Sequence, residues 1–122
     1  MADRRVVVTG VGLVSSLGNG TQTTWEGLCS GLSGITRITR FNTDAFAAKI
    51  AGEVKGFDPL DFISKKDIKK MDIFIQYAIA ASEYALSDSK LKNDSPLGPK
   101  VGVFIASGIG GFSTIEREPV SY

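Results

Sequence analysis

Residues 71–88, MDIFIQYAIAASEYALSD, constrain the fold of this chain more than any other stretch. Apolar and small residues recur there at helical spacing, and Asp72, Gln76, Glu83 and Ser87 leave only a narrow polar stripe. A helix so apolar around its circumference must be covered on more than one side. Two other stretches read as the strands that would cover it. Residues 6–9 are a continuous β-branched run closed by Gly10 and Gly12, and residues 101–111, VGVFIASGIGG, repeat the pattern of an apolar run passing into glycines. Strand, long helix and strand in that order predict a right-handed βαβ crossover with a parallel sheet, and so an α/β fold.

The connecting stretches are less regular. TQTTWEGLCSGLSG, 21–34, reads as a short helix with Thr21 as its N-cap and Gly31 as its stop. Between Ile35 and Phe57 no period emerges, although AKIAGEV, 48–54, reads as a short strand within a covering loop. FDPLDFISKKDIKK, 57–70, puts Pro59 in the first turn of a small helix that ends in lysines. LKNDSPLGPK, 91–100, is a turn-rich loop, and no internal repeat is present.

Composition narrows the function. A chain of 122 residues is one domain with a modest core. Its 14 Lys and Arg nearly balance 13 Asp and Glu, so no global field favours nucleic acid and any charged partner must meet a local patch. The longest apolar runs are too short to span a membrane, and the opening MADRRVVVTG lacks the apolar stretch of a signal peptide; the expected location is cytoplasmic. Cys29 is the single cysteine and histidine is absent. Those counts exclude an internal disulfide, a cysteine-based metal site and any Cys–His or Ser–His pair built from this chain alone, and no metal or cofactor is expected.

The glycines raise the question of a phosphate cradle. Gly10 and Gly12 fit the first two positions of a dinucleotide fingerprint, but Ser15 stands in place of the third glycine. No helix opens there, and the next acid, Glu26, lies inside the first predicted helix. A tight turn off a strand end accounts for Gly10 and Gly12 better than a nucleotide-binding α/β domain does. The second loop differs. Gly108, Gly110 and Gly111 bare the backbone at the carboxyl end of the second predicted strand, where α/β proteins bind ligands. Ile109 is the one bulky residue among them, and the residues alone leave it either packed in the core or projecting into a pocket walled by backbone. In SKKDIKK, Lys65, Lys66, Lys69 and Lys70 span about one and a half helical turns, and Lys66, Lys69 and Lys70 share a face, either as a solvated helix end or as a docking patch.

Four stretches taken together, RRVVVTGVGLVSSLGNG, TWEGLCSGLSGI, FISKKDIKKMDIFIQYAIAAS and SGIGGFSTIERE, resemble the type II β-ketoacyl-acyl-carrier-protein synthases, condensing enzymes of fatty-acid elongation. The resemblance runs from Arg4 to Glu118. It implies a thiolase-like fold of layered αβαβα form, of which residues 1–122 are an incomplete N-terminal portion carrying a strand, the long helix and a parallel strand. It also implies a homodimeric acyltransferase that loads an acyl chain on a cysteine at a helix N-terminus and condenses it with malonyl-acyl-carrier protein, aided by two histidines. Cys29 does not match that nucleophile, so no catalytic residue is assigned here and the chain alone is expected to be inactive.

What the resemblance gives this stretch is contact with substrate and carrier. Lys65, Lys66, Lys69 and Lys70 match residues that dock the acidic acyl carrier protein. Ile109 matches a residue at the acyl pocket, with Gly108, Gly110, Gly111 and Phe112 beside it, Phe112 serving mainly the core. The implied partners are acyl carrier protein, acyl and malonyl thioesters and a second copy of the enzyme. Trp25 and Phe41 read as core or interface residues, and the ending REPVSY leaves the family's course. A non-catalytic carrier-binding module using the lysine patch is the other reading of the same residues.

Overall fold

A computed structural model describes residues 4–91 and 98–117. Its elements in chain order are β1 (Val14–Ser15), β2 (Gly18–Asn19), α1 (Thr21–Cys29), β3 (Ile35–Arg37), β4 (Ile50–Gly52), α2 (Lys65–Ile68), α3 (Ile73–Ser89) and α4 (Phe112–Arg117), with 3-10 turns at Pro59–Asp61 and Gly98–Lys100. The loop expected at 91–100 falls mostly outside the described residues, as do the ending REPVSY beyond Arg117 and the end of the resemblance at Glu118.

The long helix forms where its periodicity places it. α3 begins after Asp72 and ends at Lys90, which turns left-handed with φ 57°. Aromatic rings pack along one stripe: Phe57 meets Tyr77 edge-on at 4.9 Å between centroids, Phe62 meets Tyr84 at 5.2 Å, and Phe57 stacks on Phe62 at 6.1 Å. Tyr77 and Tyr84 stand two turns apart on the helix, so one flat pair of rings can reach both. Gln76 and Ala80 are buried. Gln76 therefore does not belong to a solvated stripe; its amide donates to the Met71 carbonyl at 2.9 Å.

Gly10 and Gly12 approach another part of α3. A Cβ on Gly10 would stand 2.6 Å from the Ser89 amide nitrogen, and one on Gly12 would stand 2.5 Å from that of Ala85. Neither glycine has positive φ. Their smallness serves close packing against the helix backbone, which corrects the expectation of a tight turn. Val11 between them is held at both backbone groups: its N–H donates to Asp88 Oδ2 at 2.9 Å, and its carbonyl accepts from Thr21 Oγ1 at 2.6 Å. Thr21 is thus spent on Val11, and Gly20, with φ 105°, occupies the N-cap of α1 without a side-chain bond. Gly31 does stop that helix. At φ 68° it lets its own N–H reach Leu28 O and that of Leu32 reach Gly27 O, at 3.0 and 2.9 Å, a Schellman closure.

The smaller elements are local. β1 and β2 form a two-residue hairpin with Val14 opposite Asn19. β4 lies within AKIAGEV as expected and pairs antiparallel with β3, Ile35 opposite Gly52 and Arg37 opposite Ile50. Beyond β3 the chain is fastened by Glu53, whose carboxylate accepts from the Thr39 hydroxyl at 2.8 Å and from the amides of Thr39 and Arg40 at 3.1 and 3.2 Å. The Thr39 hydroxyl first, then the Thr39 amide, hold that carboxyl below the usual glutamate range. The stretch 57–70 splits into two caps: Asp58 accepts from Leu60 N–H with Pro59 at the first position, and Ser64 accepts from Asp67 N–H at the start of α2.

The parallel sheet is the expectation the structure corrects. Among the described residues, the ladders are two antiparallel pairs, and neither residues 6–9 nor 101–106 take part in one. Val6 is 90% and Phe104 98% exposed. A strand needs lateral partners for its N–H and C=O groups. Thr9 and residues 101–105 line, with Ser82, Ala85, Leu86 and Ser89 of α3, a hollow of about 370 Å³ and do not pair across it. The buried apolar residues among those described are Ile63 and Ala80. Trp25 (61% exposed) and Phe41 lie outside that core, Phe41 edge-on to Phe46 at 5.6 Å.

Candidate functional site

The second glycine loop is built onto the start of α3. Residues 105–107 run across Phe74, Ile75, Ala78 and Ile79, enclosing with them a mainly apolar hollow of about 300 Å³. Gly110 follows with φ 80°, its Cβ position 3.6 Å from the Phe74 ring, so a side chain there would meet both backbone strain and an aromatic wall. Gly111 lies directly against the Asp72 carboxylate and leaves no room for a Cβ. Its carbonyl accepts from Thr114 and Ile115 N–H at 3.0 and 3.1 Å, opening α4. Thr114 Oγ1 then donates to Asp72 Oδ1 at 2.6 Å, joining residues 42 apart in the chain.

Between these anchors Ile109 points away from the packed interior and is 73% exposed. Gly108 before it has nothing within 4 Å of its Cβ position. Of the two placements open in the sequence, Ile109 does not occupy the core of the described residues. Phe112, expected mainly in the core, is exposed on the first turn of α4.

The lysines sit just ahead of the same helix end. Lys65 and Lys66 open α2, Lys69 caps it in helical conformation, and Lys70 follows; all four are exposed. α2 is a single turn, shorter than the one and a half turns expected. Lys70 Nζ stands 3.3 Å from Asp67 Oδ1, and Asp67 also accepts from Ser64 Oγ at 2.7 Å. An exposed pair of this kind contributes about 0–1 kcal/mol, so Asp67 trims the positive patch without closing it. Lys70 and Asp72 bracket Met71, so the basic patch and the glycine loop converge at the N-terminus of α3.

Other sequence candidates separate from this site. Gly10 and Gly12 face α3, so their backbone is not free to cradle a phosphate. Cys29 is the exposed last residue of α1, at the opposite end from a helix N-terminus. No described helix is long and apolar enough to cross a membrane. Asp72 and Thr114 are the site residues that sequence reasoning missed. An aspartate before a helix reads as its N-cap, yet Asp72 makes no side-chain cap bond to α3, and nothing local points from it to Thr114.

Known proteins share both the sequence and the fold. The family described as "Beta-ketoacyl synthase, N-terminal domain" matches residues 3–121, past the end that the motifs alone marked. The 3-oxoacyl-[acyl-carrier-protein] synthase 2 of Vibrio cholerae is 50% identical over 116 residues, which are 95% of this chain and 28% of that protein. Its namesake in Staphylococcus aureus strain COL is 44% identical over 114 residues, 93% of this chain and again 28% of the other. The solved ishigamide ketosynthase/chain length factor superposes with a TM-score of 0.69 and 42% sequence identity, over 76% of this chain and 23% of that one. The chain spans little more than a quarter of the length of the curated relatives it matches.

Proposed function

Because the chain belongs to the β-ketoacyl synthase family through its N-terminal domain, we propose that it is a portion of a fatty-acid-elongating acyltransferase. Its α/β class is that of the thiolase-like ketosynthases. The reaction is a decarboxylative Claisen condensation. Malonyl-acyl-carrier protein loses carbon dioxide, the resulting enolate attacks the carbonyl of an acyl thioester, and the thiol of that thioester leaves as the carbon–carbon bond forms. Such chemistry needs a thiolate nucleophile and groups that stabilise an enolate. With no histidine and with Cys29 at a helix C-terminal end, this stretch supplies neither.

Its part is recognition. Gly108, Ile109, Gly110, Gly111 and Phe112 form one wall of the acyl pocket, and Lys65, Lys66, Lys69 and Lys70 dock the acidic acyl carrier protein. Lysine suits that contact, which needs charge and reach rather than a fork of donors. The complete enzyme works as a cytoplasmic homodimer on acyl and malonyl thioesters. The observation that carries this reading is the exposed Ile109 on a glycine-flanked loop, within a chain 50% identical to a 3-oxoacyl-[acyl-carrier-protein] synthase 2.

Ile109→Phe in the full-length protein tests it. A hydrophobic pocket discriminates by about 1–3 kcal/mol per methylene, so the ratio of long-chain to short-chain condensation should fall by about tenfold or more. An unchanged ratio would remove Ile109 from the pocket. A full-length protein that condenses no acyl thioester with malonyl-acyl-carrier protein would remove the proposed activity.

A further inference from the structure

We infer that Asp72 and Thr114 form a latch that positions the Ile109 loop and thereby sharpens the choice of acyl chain length; this rests on the reading of Ile109 as pocket wall. Asp72 stands at the N-cap of α3, where an aspartate ordinarily accepts from the helix's own free amides. Here it makes no such bond. Its carboxylate takes the Thr114 hydroxyl instead, at 2.6 Å, a length characteristic of a hydroxyl donating to a charged oxygen.

The same carboxylate is the surface against which Gly111 rests, while Gly110 turns with φ 80° over the Phe74 ring. The loop is therefore clamped on its C-terminal side at three points, Gly110, Gly111 and Thr114. On the other side Gly108 touches nothing within 4 Å of its Cβ position. Ile109 lies between an uncrowded glycine and a clamp. With residues 105–107 lying across α3 two residues earlier, the clamp is the restraint nearest to its side chain. Asp72 and Thr114 are in this sense positioning residues. Opening the latch leaves Ile109 in place but lets it swing, so its discrimination between chain lengths should flatten.

The experiment uses the full-length protein with hexanoyl and hexadecanoyl thioesters as competing acyl donors. Thr114→Val keeps the shape and removes the donor, and Asp72→Ala removes the acceptor. Each should move the ratio of the two kcat/KM values towards unity by on the order of tenfold, the low end for a hydrogen bond to a charged group. Thr114→Ser, which retains the hydroxyl, should keep the wild-type ratio, and the double variant should do no more than either single one. If Thr114→Val loses its cooperative melt, Asp72→Asn serves in its place, because it keeps the volume and weakens the bond.

Ile109→Phe run alongside separates the two readings. A ratio that responds to Ile109→Phe but to neither latch variant overturns the latch and keeps the pocket. A ratio indifferent to Ile109→Phe overturns the pocket on which the latch rests. A flattened ratio in Thr114→Ser equal to that in Thr114→Val also overturns the latch, since packing alone would then account for it.

Discussion

Two pairs of stretches in this chain differ in β-forming character, and their outcomes run opposite to it. Ile35–Arg37 and Ile50–Gly52 pair in register, with Glu53 fastening the turn that follows the first strand. Residues 6–9 and 101–106 are richer in Val, Ile and Phe, yet they remain unpaired and largely exposed. The first pair is antiparallel and its partners lie close in the chain. The second pair is split by α3, and neither stretch has a partner on its flank among the described residues. β-propensity describes how well a side chain suits a pleated surface; whether that surface exists depends on remote strands.

The largest effect should come from isolating the 122-residue chain. With Val6 and Phe104 exposed as they are, it should bind a hydrophobic dye, associate, melt over a broad range and show no condensation at all. A monomeric sample with a sharp two-state transition would mean that the unpaired stretches are stable as they stand.

Next in size is the seam between Gly12 and α3. Gly12→Val in the full-length protein should cost about 3 kcal/mol in urea unfolding, because the new Cβ meets helix backbone that cannot move aside. Gly31→Ala sets the contrast. Gly31 has open space around it and only φ 68° to resist substitution, so about 1–2 kcal/mol is expected. Equal losses at the two positions would show that contact with α3 is not what Gly12 serves.

A smaller, pH-dependent effect belongs to Glu53. Its carboxyl lies below the usual range in the fold, so its contribution is present above the unfolded value and is lost as pH falls through the depressed one. Glu53→Gln should lower Tm at neutral pH, and the gap from wild type should close in acid. A gap that persists in acid would assign the loss to packing.

The smallest effect should attend Lys66→Glu with Lys69→Glu. Both side chains are exposed, so stability should change by no more than about 0.5 kcal/mol. Association with acyl carrier protein should slow and lose part of its salt dependence. Kinetics unchanged across ionic strength would remove the docking role.

What was legible in the sequence follows from the distance over which each feature is determined. The end of α1 at Gly31, the turn at Pro59 and the extent of α3 depend on neighbours a few residues away, and they stand where expected. The cap at Ser64 was equally local: SKKD has the spacing of a capping box, a signal left unused. Gly10 and Gly12 were recognisable as special positions, but their reason lies on Ala81, Ala85 and Ser89, far along the chain. The same holds for Glu53 with Thr39 and for Asp72 with Thr114. In the candidate site the residue types were readable from family motifs, whereas the bond from Thr114 to the Asp72 carboxylate joins residues 42 apart and leaves no local signal.

The hydrogen bond from Val11 N–H to Asp88 spans 77 residues, and that separation is also an interval of time. A ribosome adds about 5–20 residues per second, so the partner of the N-terminal segment is made about 4–15 s after the segment itself. Throughout that interval Gly10 and Gly12 have no helix to lie against, while Val6, Val7 and Val8 are as exposed as they are in the fold. Arg4 and Arg5 immediately precede them and are exposed in the fold. Paired charges beside an exposed β-branched run hinder its association with other chains, and Arg4 and Arg5 stand where they would do so both during that interval and after α3 is in place.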